Sequence, residues 1–103
     1  MTVMKDPFSR LERARELLSS GRPDAAARLL DADFPEVLLG EKAVLRGDAL
    51  RDQGFFRRAQ DCYRRALKAV GPGERDLVLG AELGLARCAR SLGEIKDAAA
   101  AMR

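Results

Sequence analysis

The sequence contains no histidine at all. That absence removes Ser-His-Asp and Cys-His nucleophilic sites, His-containing zinc sites and imidazole acid–base chemistry. Cysteine is nearly as scarce: Cys62 and Cys88 stand alone, with no CxxC pair and too few for a disulfide framework. They read as buried thiols of a reducing compartment. Aromatics make up only 5% of the chain, which argues against sheets, because strands draw on aromatic and β-branched residues. No apolar run approaches the ~20 residues that a membrane span needs. The segment Met1–Pro7 carries charge but no apolar h-region, so no secretory signal is visible. Together these absences lead to the expectation of a cytoplasmic, non-catalytic chain without a cofactor. Gly71-Pro72-Gly73 is no phosphate loop, because the Lys and Ser/Thr that grip nucleotide and metal are missing. No carboxylate pair is isolated in an apolar setting that would raise a pKa for acid–base work, and Asp24, Asp31 and Asp33 are accounted for by helix capping.

What is present points to helices. The chain has 103 residues, 47% of them hydrophobic and 34% charged, the balance of one globular domain over 1–103. Alanine, leucine and arginine are plentiful, and all three favour helix. The formal net charge is +3 and the pI is near 9.2. This modest excess is almost wholly arginine, since the lysines are only Lys5, Lys42, Lys68 and Lys96. Nucleic acid is disfavoured as a partner, because a dense basic patch is the usual mark of it.

The punctuation repeats. Gly21-Arg22-Pro23-Asp24-Ala25-Ala26, Gly54-Phe55-Phe56-Arg57-Arg58-Ala59 and Gly93-Glu94-Ile95-Lys96-Asp97-Ala98 superimpose, at spacings of 33 and 39 residues. The extra length falls in the Gly71–Asp76 loop. Periods of this size indicate stacked repeats that bury their apolar faces on one another. Six helices are predicted, at about Pro7–Ser20, Pro23–Ala32, Glu36–Gln53, Phe56–Val70, Glu74–Leu92 and from Ile95 onward. Asp6 caps the first with Pro7 at its opening position, unless Ser9 and Glu12 form a capping box one turn later. Short turns pair successive helices antiparallel.

The middle unit, from Ala43 to Leu67, resembles a tetratricopeptide repeat. Gly47 and Leu50 take the small and large positions of its first helix, Gly54 and Phe56 the turn, and Ala59, Tyr63, Ala66 and Leu67 the signature of its second helix. The third unit matches through Ala86, Ala89, Gly93, Ile95, Ala98 and Met102. The first is degenerate, keeping Leu17, Gly21, Ala26 and Leu30. The resemblance implies an all-α fold of stacked antiparallel helix pairs in a short right-handed superhelix, with repeats at about 7–35, 36–72 and 74–103. Such arrays finish in a polar capping helix, whereas Ala98–Met102 leaves an apolar edge. The chain is therefore expected to be a piece of a longer protein, or else covered at that edge by a partner or a second copy.

The resemblance also implies a concave groove lined by the first helix of each repeat. On this chain it holds Leu11, Arg15 and Leu18, then Val44, Asp48 and Arg51, then Leu83, Arg87 and Arg90. Its expected occupant is a peptide or helix of another protein, with arginines gripping carboxylates. Recognition of heat-shock chaperone C-termini is disfavoured, since Leu45 stands where that variety needs Asn, and Gly80 and Gly84 where it needs basic residues. The alternative is a structural subunit or chaperone of a larger assembly, of secretion or pilus type, or a self-associating module. Arg57, Arg58, Arg64, Arg65 and Lys68 share one face of the fourth helix. A solvated face is the preferred reading of them, over phosphate or acidic-partner binding. Cys62 and Cys88 lie on helices expected to face each other; a bridge is conceivable, and core thiols are preferred.

Overall fold

The computed structural model describes residues 6–102 of the chain. They form five helices and one 3-10 turn: α1 (Pro7–Ser19), α2 (Pro23–Leu30), the turn Glu36–Leu38, α3 (Leu39–Asp52), α4 (Phe56–Ala69) and α5 (Arg75–Ala101). The carboxylate of Asp6 accepts from the backbone N–H groups of Phe8 and Ser9 at 3.4 and 3.3 Å. Asp6 is therefore the N-cap, and Pro7 follows it where a missing N–H costs nothing.

Two of the three predicted turns are built alike. Gly21 and Gly54 adopt φ of 75° and 87°, a region that side chains resist. The N–H of Gly21 donates to the Leu18 carbonyl at 3.2 Å, and that of Arg22 to Leu17 at 2.8 Å. The N–H of Gly54 donates to Arg51 and that of Phe55 to Leu50, both at 2.9 Å. Each pair closes a helix end by satisfying its last carbonyls.

The third turn does not form. α5 runs unbroken through Gly93 for 27 residues, so the expected fifth and sixth helices are one. A glycine inside a helix costs only about 1 kcal/mol relative to alanine. The four alanines from Ala98 to Ala101 are the strongest helix formers, and no proline follows Gly93 as Pro23 follows Gly21. Continuing the helix is therefore the cheaper course.

Successive helices pack in pairs, and α3 also touches α1 on one side and α5 on the other. α2 and α4 do not touch. The helices thus form two layers, α1, α3 and α5 in one, α2 and α4 in the other. Two cores result. The first gathers Leu11, Ala14, Leu17, Ala26, Leu30, Leu38, Leu45 and Ala49; the second gathers Val44, Leu50, Ala59, Cys62, Tyr63, Ala66, Ala81 and Cys88. α3 supplies residues to both.

Tyr63 is fully buried and wedged between α3 and α5. A Cβ on Gly47 would lie 2.7 Å from its ring, and a Cβ on Gly84 would overlap the ring outright. These glycines sit in helix interiors because no other residue leaves room for the ring. Cys62 and Cys88 are both buried free thiols. Burial raises the pKa of each, but different charges act on them: Arg46 and Arg65 on Cys62, Arg51 and Asp48 on Cys88.

Candidate functional site

The layer of α1, α3 and α5 carries all nine residues expected to line the groove, but not all at its surface. Leu11 is 2% exposed and Val44 9%. Both belong to the cores, so the expectation that they anchor a partner is corrected. Their helical register turns them inward, where a Cβ added to Gly80 of α5 would lie 3.6 Å from the Val44 side chain. Leu18 is half-buried against the first core. Leu83, at 51% exposure, is the one expected apolar anchor standing in solvent.

The charged residues occupy two valleys. Between α1 and α3, Arg15 pairs with Glu41, an acid the sequence reading passed over. Between α3 and α5, the Tyr63 hydroxyl donates to Asp48 at 2.5 Å, and Arg51 pairs with Asp48 at 3.7 Å and Asp52 at 3.9 Å. Burial raises the pKa of Asp48, opposed by the Tyr63 hydroxyl and by the charges of Arg51 and Arg87. Tyr63 is pushed far above the ordinary phenol range by burial and by its bond to that carboxylate. Arg87 thus lies within electrostatic reach of Asp48, and it has no ion-pair partner among the described residues. Arg90 is exposed and pairs with Glu94 one turn along α5, at 3.3 Å.

What brings these groups together is the periodicity of α3. Glu41, Val44, Asp48 and Arg51 recur at spacings of three and four residues and face α1 and α5. The opposite side of α3, with Leu39, Lys42, Ala43 and Arg46, borders a depression toward α4 that sequence reasoning missed. The spacing of Lys42 and Arg46 against Arg58 and Arg65 could have signalled it.

Asp31 is displaced from its expected role. It ends α2 at the C-terminal side, where the helix dipole disfavours an acid, and it bridges instead to Arg46 of α3 at 3.2 Å. Asp24 does open α2, and the N–H of Ala25 lowers its pKa. No helix among the described residues is long and apolar enough to cross a membrane.

A family model described as a tetratricopeptide repeat-like domain matches residues 6–83. The match ends within α5, ahead of the stretch in which that helix continues where a repeat would turn. No curated protein and no solved structure matches the chain.

Proposed function

The chain belongs to the tetratricopeptide repeat-like domain family, and from that premise we propose that it is a scaffold whose inner layer grips a peptide or helix of a partner protein. Domains of this family are generally non-catalytic and serve protein–protein interaction. The observation that supports the reading is the valley between α3 and α5. There, exposed Leu83 and unpaired Arg87 flank a fixed Asp48–Arg51 pair. With Leu11 and Val44 committed to the cores, binding rests on charge and on Leu83 more than on a row of apolar anchors. Arg87 offers a carboxylate an unspent guanidinium. Two free thiols fit a cytoplasmic setting for such a scaffold.

The test is an affinity capture from the source organism, with wild type beside Arg87→Glu/Leu83→Ser. Loss of a partner that wild type retains, at unchanged helicity, supports the groove. Equal retention by both proteins refutes it.

A second reading, self-association, is favoured by one specific feature. The buried stripe of α5 (Ala81, Gly84, Cys88) continues in register through Ile95 and Met102, which are 56% and 88% exposed. A second copy would cover that overhang. Light scattering across concentration separates the readings: a species that stays monomeric at high concentration, with or without Ile95→Lys, removes self-association.

A further inference from the structure

The gap between α2 and α4 leaves the outer side of α3 open. Two adjoining depressions lie there, sharing Arg46, Cys62 and Arg65. The larger, of about 270 Å³, is floored by Leu39, Ala43 and Ala69 and rimmed by Lys42, Arg46 and Arg65. The smaller extends it past Leu50 to Arg58. Four cations therefore border a trough that follows α3 from Leu39 to Leu50, roughly 16 Å or three helical turns, apolar at its Leu39–Ala69 end and mostly polar where it reaches Arg58.

Three of these cations are held in place. Lys42 donates to the Ala32 carbonyl at 3.0 Å and lies over the Phe34 ring. Arg46 is steadied by Asp31, and Arg58 lies over the Phe55 ring at 5.3 Å. Arg65 has no ion-pair partner among the described residues. Side chains already ordered lose less freedom on binding. Each guanidinium has five donors and a single such contact leaves most of them unspent. Among the described residues, Asp61 is the one acid lining the depressions and Asp31 reaches them through Arg46, so the trough stays positive.

We propose that this outer trough is a second docking surface, separate from the inner layer, for an acidic amphipathic helix of a partner protein. Its apolar side chains enter the depression and its carboxylates meet Arg46, Arg58 and Arg65. The volume is below the ~300–1,000 Å³ usual for small-molecule sites and suits inserted side chains. A nucleic acid would satisfy the cations and leave the apolar floor in water, which is why the amphipathic helix is the better fit. The remaining basic residues of α4, Arg57, Arg64 and Lys68, stay in solvent, as the sequence pattern suggested.

The probe is a fluorescein-labelled synthetic helix of about four turns, carrying leucines at i, i+4 and i+7 between glutamates. Controls are a scrambled peptide of the same composition and a single-stranded oligonucleotide of equal charge. Fluorescence polarisation and amide chemical-shift mapping are the readouts. The helix should bind saturably, with shifts at Ala43, Cys62 and Ala69. Arg65→Glu should weaken it at least about tenfold, a scale usual for charge reversal against a complementary partner. Ala69→Trp, which fills the depression without altering charge, should weaken it comparably, and Arg87→Glu on the inner layer should leave it unchanged. Circular dichroism confirms that each variant is folded. Absence of saturable binding overturns the proposal. So does equal binding of the scrambled peptide, tighter binding of the oligonucleotide at the same residues, or sensitivity to Arg87→Glu in place of Arg65→Glu.

Discussion

Replacing Gly84 with alanine ought to stabilise an ordinary helix, and in this protein it should do the reverse. Alanine is better than glycine in a helix interior by about 1 kcal/mol. At Gly84, however, the added methyl overlaps the ring of Tyr63, which cannot retreat because Gly47 stands on its other side with no space to spare. The ring must tilt, and tilting pulls its hydroxyl from Asp48, now 2.5 Å away. Overpacking a filled core costs about 1–3 kcal/mol, and a hydrogen bond to a charged group is worth about 1.5–3 kcal/mol. Set against the propensity gain of about 1 kcal/mol, the net loss is about 1.5–5 kcal/mol. For a domain of this size each kcal/mol moves Tm by about 4–8 °C, so Gly84→Ala should melt about 6 °C or more below wild type. Urea unfolding followed by circular dichroism measures the same quantity, with the m-value unchanged. Gly93→Ala is the internal control: a Cβ there meets nothing within 4 Å, and it should gain about 0.5–1 kcal/mol. Should both alanine variants shift stability in the same direction, the argument from the Tyr63 seat is wrong.

Gly54→Ala should cost about 1–2 kcal/mol in the same assay, because the φ of 87° puts a Cβ in the left-handed region; a neutral result would mean the turn is not held as described. Cys62 and Cys88 should react slowly with a thiol reagent at neutral pH and rapidly in denaturant, because burial both hides them and raises their pKa values; fast labelling of the native chain contradicts that placement. Asp48 supplies a pH dependence of defined sign. Its folded pKa is raised above the ordinary 3.8, so the native state holds the proton longer than the unfolded one. Its contribution to stability therefore falls as pH climbs from about 4 through the raised value, and is flat above it. Asp48→Asn should remove that fall in a series of urea midpoints, and an unchanged series refutes the assignment. Arg15→Ala should cost under about 1 kcal/mol, as befits a pair whose arginine is half-exposed; a larger loss would mean that the pair holds α1 to α3.

The helices were legible in the sequence because their ends are written locally. Asp6-Pro7, Gly21 and Gly54 each act through the few residues on either side, and each ended or began a helix where expected. Gly93 carries the same local pattern yet lies inside α5. A glycine permits a turn without compelling one, and Gly93 lacks both the following proline and a surface beneath residues 94–101 to reward the turn. The groove was less legible for a related reason. Leu11 and Val44 share a helical stripe with charged residues, and one sequence cannot say which edge of the stripe the neighbouring helix covers. Gly47 and Gly84 show the same limit from the other side. By propensity alone a glycine at position 84 only weakens its helix, and the position of Tyr63, 21 residues earlier, explains it.

The place of α3 has a consequence for how the chain comes apart. Leu45 and Ala49 belong to one core, Val44 and Leu50 to the other, and all four are carried on the same roughly two turns of backbone. Neither core can open fully without stripping a side of the helix the other needs. Two apolar clusters that share no side chain are in this way made to melt as one, and the slowest amide exchange in the molecule should map to α3. A strain applied at either end of the row is felt at the other through that single rod.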